Sequence, residues 1–229
     1  MNAATVNRAG FWRRWLAYSL DWLLLAPLLV LLLATPLRSA WSEAVALNTL
    51  LQDWLLEKML ATPGVMPSPW RLLQSLELDP ALSAAMQSGG ARLTAALAQG
   101  ALRLAACAAI YFIGFEAGPW QATPGKRALG LRVSTPDGAR IGLGRASARF
   151  FAAALSWLTL NLGHALAGWR SDGAALHDLV AGTRVGASEP MPRWGRWLLI
   201  AQLAALCALF LALLGRLAYL LVQLASMPG

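Results

Sequence analysis

The sequence predicts an all-α multi-pass membrane protein with a small cytoplasmic β element, either a hairpin or three short strands. Three observations carry this. Four apolar runs, 15–33, 93–115, 150–169 and 197–215, are each about long enough to cross the hydrocarbon core of a bilayer. The chain of 229 residues is 58% hydrophobic and 13% charged, with a mean hydropathy of +0.53, whereas a soluble domain carries about 25% charged residues. Between residues 129 and 142 the apolar spacing changes from helical to alternating.

The first run holds ten leucines and one acid, Asp21. At about −0.5 kcal/mol per leucine, the run tolerates one off-centre Asp costing at most ~3 kcal/mol. Arg8, Arg13 and Arg14 ahead of it resemble the start of a signal peptide. Its length, Asp21 and the absence of a small-x-small cleavage site around Ala34, Thr35 and Pro36 predict a retained anchor instead.

Residues 34–92 read as an external amphipathic insert. Val45, Leu47, Leu50, Leu51, Trp54 and Leu55 recur at helical spacing against Glu43, Asn48, Gln52, Asp53, Glu57 and Lys58. Thr62-Pro63-Gly64 and Pro67-Ser68-Pro69 stop this helix, and a second starts near Trp70. These helices read as packing against the spans or as a gate. The second run is interrupted only by Arg103, and its alanine-rich approach suits close helix packing.

On the inner side, Leu131 and Val133 alternate with Arg132 and Ser134, Pro136-Asp137-Gly138 is a turn, and Ile141 resumes the apolar face. That pattern predicts a hairpin, with 182–186 as a third strand if it lies on the same side. Ser156, Asn161, Gly163 and His164 weaken the third run as one helix. It reads as a straight span or as a re-entrant pair that returns to the cytoplasm, irregular backbone at that depth needing cover from protein or water. The re-entrant path also keeps Arg170, Arg184, Arg193 and Arg196 inside. Arg216 marks the edge of the last span.

The net charge of +8 and pI of 10.7 come from basic residues at the ends of apolar runs, a pattern of membrane orientation rather than of nucleic acid binding. Thirteen of the 19 Lys and Arg fall in the head, in 116–149 and in 170–196, which places the N-terminus in the cytoplasm and 34–92 outside. Cys107 and Cys207 lie in apolar runs and offer neither a disulfide framework nor a metal site.

Three blocks carry a resemblance. Arg14-Trp15-Leu16-Ala17-Tyr18-Ser19-Leu20-Asp21, then 123–133 (TPGKRALGLRV), then 176–185 (LHDLVAGTRV) resemble the signature of the RDD family of bacterial membrane proteins. The resemblance covers 8–187, so 1–187 reads as an RDD-like membrane domain and 188–229 as an additional C-terminal transmembrane helix. It implies Arg14, Asp21 and Asp178 as the signature residues, a bacterial inner-membrane location, and transport, including a sodium/proton antiport role proposed for some members.

Arg14 and Asp21 are seven residues apart, hence on one helix face about 10 Å apart along the axis, with Tyr18 between them. They read as an intramembrane pair serving a proton or cation, with Arg149 or Arg103 as other partners for the acid, or as a structural ion pair. Asp178 reads as a latch bonded to the 123–126 turn, to Lys126 or to Arg127, or as a second carboxylate of a path with His177 titrating near neutral pH as its relay. Trp120 stands where a phosphate loop needs its first glycine, and Arg127 where it needs a hydroxyl, so nucleotide hydrolysis is rejected. No catalytic, metal or cofactor motif is present, and the chain reads as a non-enzyme. Its expected partners are the lipid bilayer, a small cation or solute, and other membrane proteins or copies of itself, but not nucleic acid. A transporter of a small solute or cation is the leading reading; a non-transporting scaffold or accessory protein is the other.

Overall fold

A computed structural model describes residues 7–61, 68, 70–71, 74–75, 79–159, 162–170 and 172–226. The elements in chain order are β1 (Asn7–Arg8), α1 (Phe11–Leu60), α2 (Pro80–Ala117), α3 (Pro124–Ala128), β2 (Leu131–Ser134), α4 (Leu143–Leu158), α5 (Leu162–Trp169), α6 (Leu176–Ala181), β3 (Arg184–Ala187) and α7 (Arg193–Ala225). Among the described residues, three helices are long and apolar enough to cross a membrane: Phe11–Leu60, Pro80–Ala117 and Arg193–Gln223. They contain three of the four expected apolar runs. The fourth is broken into α4 and α5, and Asn161 between them lies outside the described residues.

The chain divides into two compact units, one of residues up to Leu24 with Tyr111 onward, the other Leu25–Ile110. Within the second, the arms of α1 and α2 run antiparallel. Arg103 meets Leu32 and Thr35, Arg92 pairs with Glu43 at 3.0 Å, and the Trp54 indole donates to Asp79 at 3.1 Å. Asp79 also caps α2 by accepting from the Leu82 N–H at 3.0 Å. Gly100 beside Pro36, and Gly89 beside Leu47, let the arms approach.

The external insert is therefore not built as expected. Residues 41–60 continue α1 instead of forming a separate helix, and residues 80–92 begin α2. The stop at 62–69 and the helix start near Trp70 fall mostly outside the described residues. Continuity through Pro36 has a visible cause. Proline leaves the carbonyl four residues earlier without its helical donor, and the Arg103 guanidinium donates to that carbonyl, Leu32 O, at 3.0 Å and to the Thr35 hydroxyl at 2.7 Å. Arg103 thus repairs a helix and does not hold Asp21.

In the other unit, β3 is central: it pairs antiparallel with β2, Leu131 opposite Ala187 and Val133 opposite Val185, and with β1, Asn7 opposite Ala187. Leu131, Val133, Val185 and Ala187 turn inward onto Leu16, Ala17, Leu129, Ile141 and Ala146, forming the buried apolar core. The alternation over 131–134 and the turn at 136–138 are present, the turn with Gly138 at φ +86°.

The hairpin is not. Ile141 bonds the side chain of Gln121, which donates to its carbonyl at 3.0 Å and accepts from its N–H at 2.5 Å, while Val133 N–H donates to the Gln121 carbonyl at 2.8 Å. A buried glutamine supplies the hydrogen bonds a returning strand would have made, and 184–187 becomes the neighbour of β2. Because β2 and β3 are hydrogen-bonded, the segment 135–183 starts and finishes at one sheet. α4 packs on both α5 and α6.

Candidate functional site

Asp21 is fully buried on α1 and accepts three hydrogen bonds from uncharged donors. The Tyr111 hydroxyl donates to Oδ1 at 2.8 Å, the Gly125 N–H to Oδ1 at 2.7 Å and the Thr123 hydroxyl to Oδ2 at 2.5 Å. Local sequence builds this socket. Thr123 caps α3, its oxygen accepting from Lys126 N–H while its proton goes to Asp21, and Pro124 fills the first helical position, where no donor is needed. Gly125 has to be glycine. A Cβ there would strike the Ala17 carbonyl and lie 2.8 Å from Asp21 Oδ1.

The expected pair of Arg14 with Asp21 does not form. Their shared face carries them past different neighbours, and Arg14 Nη1 bonds Asp178 Oδ2 at 2.5 Å. Asp178, third residue of α6, also takes the Ala175 N–H on Oδ2 at 3.0 Å and Arg149 on Oδ1. Arg149, 3% exposed, reaches Glu116 Oε2 at 2.8 Å and the Thr183 hydroxyl at 2.6 Å, and Glu116 is bonded in turn by Lys126. A circuit results: Asp21 to the 123–125 turn, Lys126 to Glu116, Arg149 to Asp178, and Arg14 back to α1.

Asp178 accordingly pairs with Arg14 and Arg149, and neither Lys126, Arg127 nor the 123–126 turn is its partner. Arg127 lies over the Trp120 ring, 4.1 Å from its centroid. Burial by itself would raise the Asp178 carboxyl, but Arg149 and Arg14 overcome it and hold the group well below the usual carboxylate range. Arg149, which burial would lower, is raised by Glu116 and Asp178. Burial, reinforced by Arg149, depresses His177 to about 3, so it does not titrate near neutral pH as expected. Its Nε2 lies 3.5 Å from Asp178 Oδ1.

A cavity of about 600 Å³ opens against this network. Phe11, Trp15, Tyr18, Trp22, Phe112 and Phe150 supply its apolar wall, with Tyr18 stacked on Phe112 at 5.6 Å. Arg14, Glu116, Lys126, Arg149, His164 and His177 supply the polar part. Neither Asp21 nor Asp178 is among the described residues lining it. His164 and His177 face each other, ring centroids 5.1 Å apart.

Sequence reasoning missed Glu116, Tyr111, Thr183 and the socket role of Thr123 and Gly125. Glu116 had a signal: it is an acid at the end of the second apolar run, followed by six basic residues before 150. The others carry none, because a hydroxyl or a glycine shows its partner only in three dimensions.

A family model described as the RDD family matches residues 8–182. The chain is also similar to a Bacillus subtilis (strain 168) protein named Uncharacterized protein YxaI, 33% identical over 76 residues, which cover 33% of this chain and 50% of that relative. The chain thus spans about half the length of the curated relative it matches. No solved structure matches it significantly.

Proposed function

The chain belongs to the RDD family, and from that premise we propose that it is a non-enzymatic, multi-pass component of the bacterial inner membrane, N-terminus inside, that passes a small solute. The observation carrying this reading is the cavity of about 600 Å³ against the Arg14–Asp178–Arg149–Glu116–Lys126 network. Its volume falls within the range of small-molecule sites, and its wall is mostly apolar with a few convergent polar groups, the usual make-up of such sites. Ionisable groups inside a membrane domain commonly mark a solute or ion path.

The reading departs from a cation path through Asp21. That carboxylate has both oxygens occupied and does not line the cavity. Its role here is to fasten the 123–125 turn to α1.

Flux into vesicles reconstituted with the purified protein tests the proposal, using a panel of sodium, small organic cations and small organic anions. Uptake above that of empty vesicles, abolished by Ala153→Phe at a residue that lines the cavity, is expected; a panel-wide absence of uptake sinks it. A second reading, a scaffold binding other membrane proteins, lipids or copies of itself, draws on α7, whose most apolar window is 0% buried within the chain. Absent flux together with self-association that requires α7 favours that reading.

A further inference from the structure

Three buried nitrogens on the cavity wall lack a hydrogen-bond partner among the described residues: Arg14 Nε, His164 Nδ1 and His177 Nδ1. Buried polar atoms are normally satisfied, so unsatisfied ones on three residues lining one cavity ask for a partner. Arg14 Nε can only donate. Its neighbour Nη1 is committed to Asp178, which holds the guanidinium in place with the buried Nε–H unpaired.

The charges point the same way. The wall carries three cations, Arg14, Lys126 and Arg149, against one acid, Glu116. Asp178, behind the wall, brings the acids to two and still leaves one positive charge in excess. Asp21, held by uncharged donors in its socket, is a third acid that does not line the cavity, so the excess belongs to the wall and not to the whole network. The remaining wall is aromatic, with Tyr18, Trp22 and Phe112 packed together from two helices and Trp15 also lining it. Such rings suit a flat or apolar body. A metal cation or free proton would use none of that surface and would meet the positive excess.

We propose that the cavity binds a soluble organic monoanion, with an aromatic or short apolar body against the aromatic wall of Trp15, Tyr18, Trp22 and Phe112 and a carboxylate or phosphate head on Arg14 Nε beside His164 and His177. This deepens the solute-passing reading and rests on it. The head accepts from Arg14 Nε–H and offsets the excess charge; the body displaces water from the aromatic wall.

Calorimetric titration of the full-length protein in phosphatidylcholine nanodiscs tests this with 2-naphthoate and its uncharged counterpart 2-naphthylmethanol. Naphthoate is expected to bind one site about tenfold more tightly than the alcohol, the worth of a charge-assisted hydrogen bond. Arg14→Lys retains a cation beside Asp178 but lacks the Nε donor, and is expected to erase that preference. Ala153→Phe, checked for an unaltered unfolding temperature, should abolish both. Equal binding of the two probes, or a preference that survives Arg14→Lys, overturns the anion assignment and leaves the solute cavity standing. Binding of neither probe by the unmutated protein overturns the cavity reading itself. Loss of naphthoate binding on adding phosphatidic acid to the nanodiscs reassigns the site to a lipid headgroup and overturns the soluble solute.

Discussion

Gly125 occupies the tightest position at the Asp21 socket, and its replacement is the sharpest single-residue test of it. Gly125→Ala places a methyl group on the Ala17 carbonyl and is expected to lower stability by about 1–3 kcal/mol, as overpacking does; thermal unfolding in detergent reads it. Gly114→Ala, with open space around its Cβ, is the neutral control. Glu116→Gln removes the acid that both Arg149 and Lys126 hold, so a loss of about 3–5 kcal/mol is expected for a broken buried pair. His177 sets a pH dependence whose sign follows from its low folded-state value. It is neutral when folded, down to about 3, and is protonated below about 6.5 when unfolded. Between those limits the unfolded chain binds more protons. Stability is therefore full above about pH 6.5 and falls as the pH drops, by up to about 1.4 kcal/mol per unit. The depressed Asp178 carboxyl adds to the fall only below about pH 4. Unfolding temperatures of the protein and of His177→Gln across this range check it, the variant being expected to lose the upper part of the slope. At this scale the sequence singled out Arg14, Asp21 and Asp178, because a charge in or beside an apolar run needs an explanation, and each has hydrogen-bond partners in the fold. It did not show who holds whom. A spacing of seven puts two residues on one face, but neighbouring segments decide which of them is satisfied from where.

Among the elements, the arm of α1 beyond Leu24 depends on a repair. Arg103→Leu strips the donor from the part-buried Leu32 carbonyl and is expected to cost about 1–3 kcal/mol, the worth of a hydrogen bond from a charged donor. Pro36→Ala restores the helix's own N–H, so adding it to Arg103→Leu should recover most of the loss; no recovery in the unfolding temperature refutes this account. The example also shows why 41–60 was legible as amphipathic helix but not as a continuation of the first span. Proline reads as a breaker in sequence, and the arginine that cancels it is 67 positions away. The β element divides in the same way. Alternation over 131–134 and a turn at 136–138 are local patterns, and both are present. Their continuation was decided by Gln121, whose buried amide imitates a strand, and nothing in composition distinguishes such a glutamine from a solvated one.

For the whole molecule, the pairing of β2 with β3 makes a topological demand. With Cys107 and Cys207 replaced by alanine, Asp137→Cys and Ser188→Cys should both react with an impermeant maleimide from the same face of oriented vesicles. Labelling from opposite faces is incompatible with the sheet. The circuit of ion pairs has a further consequence, one of timing during biogenesis. Arg14 leaves the ribosome more than 160 residues before its acid, and Arg149 is made 29 residues before that same acid. Until α6 is synthesised, Arg14 awaits its acid and Arg149 has Glu116 alone, so the circuit is expected to close in one late step instead of span by span. A nascent chain stalled before Leu176 should accordingly be a substrate for membrane proteolysis, and one released after Ala187 should escape it.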